Sequence, residues 1–147
     1  MDEMKKIRAA LIVEVVGRPK EHVTQTLEDI TKKMGEEKGV EIKEKTIHDP
    51  VELKDHKDLY TTYVEIEVEL EGILQLVVLM FKYMPSHLEV ISPEKIALSN
   101  NEWGDILTAI TRNLHQYDEV TRVLQNEKFI LEKKLKEFLG KKEEKKD

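Results

Sequence analysis

Over the last third of the chain, an apolar side chain recurs at every seventh position, and a second row follows it at an offset of four residues. Rows spaced in this way fall on one stripe of an α-helix and are typical of a coiled coil. No proline occurs in residues 99–140, so nothing in this segment forbids one continuous helix. The rows predict a self-association surface made of Trp103, Leu107, Ile110, Leu114, Tyr117, Leu124, Leu131, Leu135 and Phe138.

The start of this helix and its need for a partner can also be predicted. Ser99 and Glu102 have the spacing of a capping box, in which each side chain satisfies the backbone amide of the other residue. At about 1.5 Å per residue, residues 101–139 would span roughly 58 Å. We expect so long a helix to pack along a partner, most simply a second copy of itself, or to fold back on the domain before it. Thr121 and Lys128 interrupt the second row and weaken its middle.

Two segments of the first 98 residues show the strict alternation of β-strands. Residues 7–16 place apolar side chains at every second position. Residues 60–70 alternate apolar side chains with Glu65, Glu67 and Glu69. We expect both strands to be buried on one face and to lie at the centre of a sheet.

Weaker signals complete a domain around these two strands. A helix is expected after Pro19, and residues 73–84 predict a second helix that is apolar nearly all round. Short strands are expected at residues 40–46 and 88–91. This order of elements predicts an α+β, ferredoxin-like sandwich with a four-stranded antiparallel sheet and two helices. The predicted domains are the sandwich at residues 1–98, the long helix at 99–140 and a charged, disordered tail at 141–147.

Composition and charge narrow the possible chemistry. The chain has no cysteine, which excludes disulfides, thiol catalysis and cysteine-based metal sites. The net charge is −6, and residues 1–98 hold 14 Lys/Arg against 20 Asp/Glu, so nucleic acid is not an expected partner. No apolar run has the length of a bilayer span. We expect a soluble, cytoplasmic protein with no membrane partner and no cofactor, and its richness in Glu and Lys is typical of thermophiles.

Residue spacing reveals no catalytic arrangement, so the chain is predicted not to be an enzyme. The three glutamates of the second central strand are expected to form a solvated face. His48, Asp49 and His56 are the candidate ligands for a divalent metal, since these side chains are the types that such ions bind. Their spacing matches no calcium loop. We therefore expect residues 48–58 to form a solvated acidic loop without a metal.

The segment VEVVGRPKEHVTQTLEDI resembles the opening of ACT-type regulatory domains, where a strand runs into an Arg-Pro-Gly turn and then a helix. Arg18 and Pro19 match that turn, and Lys20 stands where the glycine would be. The resemblance implies a ferredoxin-like domain that binds a small metabolite such as an amino acid. The ligand-binding residues implied are Gly17, Arg18 and Pro19. A turn that opens a helix at the end of a central strand can receive an anion on its backbone amides.

Taken alone, the sequence predicts a non-enzymatic interaction or assembly protein. It would self-associate, most simply as a homodimer, through the long helix and the apolar second helix, or bind another protein. The alternative is an ACT-like domain that binds a small molecule. A third possibility is a ribosome- or RNA-associated factor that uses the lysines of the last helix.

Overall fold

The computed structural model describes residues 6–145 and contains five strands and three helices within that range. The chain divides into two compact units, with the boundary between Ile106 and Leu107. No helix among residues 6–145 is long and apolar enough to cross a bilayer. The elements are β1 (Ile7–Gly17), α1 (Lys20–Gly35), β2 (Val40–Ile47), β3 (Val51–Glu52), β4 (Tyr60–Leu70), α2 (Ile73–Tyr83), β5 (His87–Ser92) and α3 (Asn100–Glu144).

The five strands form one antiparallel sheet in the order β2–β4–β1–β5, with β3 paired to β4. The two central strands are β1 and β4, as predicted, and they pair from Ile7 opposite Leu70 to Gly17 opposite Tyr60. This order is compatible with a ferredoxin-like arrangement. The structure is therefore α+β with an antiparallel sheet and a long C-terminal helix.

The sheet has one strand more than the four predicted. Residues 48–58 were expected to form a loop, but β3 pairs there with the first two residues of β4. The amide of Leu53 donates a hydrogen bond to the carbonyl of Leu59 at 2.8 Å, which closes the turn between the two strands. Backbone pairing thus creates a strand where the side chains show no alternation.

The core lies on one face of the sheet. Every second residue from Ile7 to Val13 is buried, and so is every second residue from Thr62 to Leu70, which confirms the predicted alternation. Helix α1 covers this face with three buried apolar side chains and with Thr31, whose hydroxyl donates to the carbonyl of Leu27 at 2.7 Å. Ile30 of the same helix is only partly buried and packs against this core.

Helix α2 buries only part of its apolar surface. Leu76, Val77 and Leu79 are buried, whereas other apolar side chains remain exposed. The prediction of a helix that is apolar nearly all round is confirmed, and the sheet covers one side of it. The exposed members on and just after this helix are Leu74, Val78, Met80 and Met84.

Helix α3 begins at the predicted capping box. The amide of Ser99 donates to Glu102 Oε2 at 2.7 Å, and the amide of Glu102 donates to Ser99 Oγ at 3.1 Å. These hydrogen bonds to Ser99 hold the pKa of the Glu102 carboxyl below its usual value.

The far end of α3 corrects the prediction of a disordered tail from residue 141. The helix continues to Glu144, because Lys and Glu are good helix formers and the basic Lys141 and Lys142 suit the last turn. The part of the predicted tail at residues 146–147 lies outside the described residues.

Candidate functional site

The second unit consists of α3 from Leu107 onward, and its predicted apolar rows are largely exposed. Ile106, in the first unit, is the only buried residue of the whole helix. Trp103 also belongs to the first unit and is half exposed. Leu114 and Leu131 illustrate the rest, with 56% and 66% of their surface exposed. We name the apolar stripe of this unit the α3 seam; it comprises Leu107, Ile110, Leu114, Tyr117, Leu124, Leu131, Leu135 and Phe138.

The structure places all eight seam residues on one continuous helix, because residues 100–144 are helical without a break. Apolar side chains at intervals of three and four residues then share one stripe. Helices in proteins gain most of their stability by packing such a stripe against something else. Among the residues that the structure describes, seven of the eight seam side chains remain exposed.

Polar residues within and beside the seam have their own partners along the helix. The Thr121 hydroxyl donates to the carbonyl of Tyr117 at 2.8 Å, so this residue can sit in an apolar row without an unsatisfied donor. Lys128 Nζ lies 3.9 Å from Glu132 Oε1, and Arg122 lies 3.0 Å from Asp118. These ion pairs are exposed and contribute little to stability.

Sequence reasoning missed further apolar side chains on the same helix. Val120, Val123 and Ile130 are exposed at a spacing of three and seven residues. They lie beside the seam, all on the same side of it. Their helical spacing could have been recognised in the sequence. The apolar surface is therefore broader in the middle of the helix than the two rows alone predict. Phe129 and Leu139 add two more exposed apolar side chains.

The first unit also contains a cavity of about 380 Å³ at the start of β1. Its lining includes the apolar residues Ile7, Ile73 and Ile106 and the acidic residues Glu71 and Asp105. The predicted ligand-binding turn does not contribute to it.

That turn, Gly17, Arg18 and Pro19, lies at the opposite end of β1. Gly17 is the last residue of the strand and Pro19 is the N-cap of α1, so the turn joins a central strand to a helix as expected. Arg18 and Pro19 are exposed. A Cβ added to Gly17 would lie 3.2 Å from Val23 Cγ1, so glycine allows α1 to pack closely here. The structure shows no further feature that marks the turn as a binding site.

The candidate metal ligands do not converge. Among residues 6–145, no group of three or more His, Cys, Asp or Glu side chains is placed to hold a metal ion. His48 Nε2 lies 2.9 Å from Glu65 Oε2, and its ring stacks on Tyr63 with centroids 4.1 Å apart. His48 thus packs on the open face of the sheet. Asp49 and His56 are both exposed.

The glutamates of β4 face cations on neighbouring strands. Glu69 lies 3.3 Å from Lys6 and 3.9 Å from Lys43, and Glu67 lies 3.6 Å from Arg8. Opposite charges on adjacent strands stabilise a sheet modestly. These carboxylates therefore form cross-strand ion pairs on the open face of the sheet.

Comparison with known proteins places this architecture in a family. A family model described as the MJ0538 family matches residues 8–145. The chain belongs to the MJ0538 family. The match runs through α3 as well as the sheet, so the long helix lies within the family's pattern. No curated protein and no solved structure matches this MJ0538-family chain.

Proposed function

We propose that this MJ0538-family chain is a protein-association module that assembles with a second copy of itself through the α3 seam. The observation that carries the proposal is an apolar stripe along one continuous helix, on which seven of the eight seam side chains are exposed and Ile110 is half-buried. Exposed apolar stripes of this extent mark interaction surfaces.

Pairing of two α3 helices would bury the apolar side chains of the seam, and this burial would stabilise the assembly. Full burial of a Leu, Ile or Phe side chain contributes about 1.5–3 kcal/mol. Side chains such as Leu107 and Leu135 are slightly more than half exposed, so covering each contributes about 1 kcal/mol. A pair of helices covers the rows of both copies at once. The pairing also supplies the tertiary packing that a long helix needs.

The exposed side of α2 supports a second contact in the same assembly. Leu74 and Val78 are four residues apart and lie on one row of the helix, each about 40% exposed. Met80 and Met84 are also exposed on this helix and at its end, and methionine side chains are flexible enough to adapt to a partner surface. We propose that α3 drives association and that α2 extends it.

The proposed role is non-catalytic. The titratable groups that come together on the sheet, such as Glu67 with Arg8 and Glu69 with Lys6, are matched opposite charges at the surface. Such pairs have a structural explanation and need no reaction to account for them.

The double variant Ile110→Lys/Leu124→Lys tests the proposal. Two lysines in the seam would bring like charges into the helix pair and remove two apolar contacts. We expect the wild-type chain to be a dimer in multi-angle light scattering and the double variant to be a monomer. A dimer that survives both substitutions would contradict the proposal.

Two further variants make this test specific. Thr108→Lys/Asn126→Lys adds the same charge to exposed positions of α3 outside the seam and should remain dimeric. Leu124→Ala is a milder change in case the double variant loses its helix. It should raise the dissociation constant by about tenfold or more, since each lost contact acts in both copies.

A further inference from the structure

We propose that the two α3 helices pair antiparallel, with Leu107 of one copy level with Phe138 of the partner. This inference rests on the proposed self-association and adds the orientation and register of the partner helix. Charge and the positions of polar residues along α3 both support it.

The charge of α3 changes sign along its length. Residues 100–121 contain one Arg and four Asp/Glu, a net charge of −3. Residues 122–144 contain seven Lys/Arg and five Asp/Glu, a net charge of +2. An antiparallel pair places each acidic half beside a basic half, whereas a parallel pair places like charges together. Such complementarity selects the orientation of associating surfaces.

The polar interruptions of the seam also disfavour parallel pairing in register. Lys128 would then lie level with Lys128 of the partner, because equal positions face each other in a parallel pair. Glu127 and the partner's Glu132 would meet beside them, since flanking positions five residues apart are neighbours in this arrangement. Like charges at both levels would oppose association.

In the antiparallel register these conflicts disappear. Lys128 lies level with Tyr117 of the partner, where its ammonium can pack on an aromatic ring and meet the adjacent carboxylate of Asp118. Thr121 lies level with the partner's Leu124, and its hydroxyl is already bonded within its own helix. The remaining levels pair apolar side chains throughout: Leu107 with Phe138, Ile110 with Leu135, and Leu114 with Leu131.

Spin labels on exposed positions measure the orientation directly. The chain has no cysteine, so Arg112→Cys or Lys133→Cys gives one thiol for labelling. Both residues are exposed on α3. In the proposed register, Arg112 of one copy is level with Lys133 of the other. When both copies carry the label at the same residue, the two labels are therefore separated by about 32 Å along the helix axis.

Pulsed electron spin resonance on the full chain gives the readout. We expect a long distance for each singly labelled sample, and a new short distance when the two labelled chains are mixed. Parallel helices would instead give a short distance in each singly labelled sample and no further short distance in the mixed sample. This result would overturn the inference. A shift of one heptad would change the axial offset by roughly 10 Å in each singly labelled sample, lengthening one distance and shortening the other, and would overturn the register.

Failure of the underlying association gives a different result. A monomeric mass with no distance between labels in any sample would overturn the self-association itself. The orientation test therefore separates the two claims. A spin label attached to the Arg122→Cys variant provides a control. This position lies near the centre of the helix pair and should give a short distance in either orientation.

Discussion

At the scale of single residues, Glu37 links the two short helices of the first unit. It lies just after α1, and its carboxylate accepts hydrogen bonds from Lys82 Nζ and from Tyr83 Oη, the latter at 2.8 Å. The hydrogen bond from Lys82, and then that from Tyr83, hold the pKa of Glu37 below its usual value. Burial, and then the hydrogen bond to Glu37, raise the pKa of Tyr83. The ionised carboxylate thus ties the end of α2 to the end of α1.

Replacement of Glu37 by glutamine should lower the free energy of unfolding by about 1 kcal/mol at pH 7, because the charged hydrogen bonds are weakened. A carboxyl whose folded pKa is depressed stabilises the fold above its unfolded pKa and loses that contribution as the pH falls through the folded pKa. The difference between wild type and variant should therefore shrink in acid. Urea unfolding at pH 7 and pH 3 measures it.

A matched control separates this link from a general charge effect. Glu28→Gln removes the same charge from an exposed position of α1 and should leave the free energy of unfolding nearly unchanged at both pH values. Equal effects of the two substitutions would count against the role assigned to Glu37.

At the scale of elements, the start of α3 is determined by a local signal. Ser99 and Glu102 satisfy each other's amides, and both hydrogen bonds were predicted from their spacing. Loss of this cap should fray the first turn of the helix.

The substitution Ser99→Ala removes the acceptor for the Glu102 amide. We expect a destabilisation of the first turn by about 1 kcal/mol and faster hydrogen exchange at the amide of Glu102. Thr108→Ala, at an exposed position within the same helix, should leave that exchange rate unchanged. Unaltered protection of Glu102 in the Ser99 variant would show that the cap does not hold the helix start.

The elements differ in how far their sequences predicted them. β1 and β4 were predictable because burial on one face imposes an alternation of side chains over eleven residues each. β3 is two residues long and rests on backbone pairing, so no pattern of side chains could reveal it. The end of α3 was placed too early, because a run of charged side chains fits a solvated helix as well as a disordered tail.

At the scale of the whole molecule, the candidate site was predictable only in part. The heptad rows identified the α3 seam, and the structure adds exposed neighbours such as Val120 and Ile130 that the two rows omitted. The partner that we propose for the seam, a second copy of the chain, stays a prediction, because the apolar rows of one helix do not specify the surface that covers them. The turn at Gly17, Arg18 and Pro19 stays a prediction, since its resemblance to ACT domains concerns a ligand that a sequence pattern does not identify.

Sedimentation equilibrium of the wild-type chain over a range of concentrations is the decisive test of self-association through the α3 seam. We expect a particle of about twice the 17.2 kDa chain mass, which dissociates on dilution. Dissociation should be accompanied by a loss of helical circular dichroism, because the proposed partner would supply the packing of α3 beyond residue 106. A chain that sediments at 17.2 kDa at every concentration, with its full helical signal, would rule out this self-association.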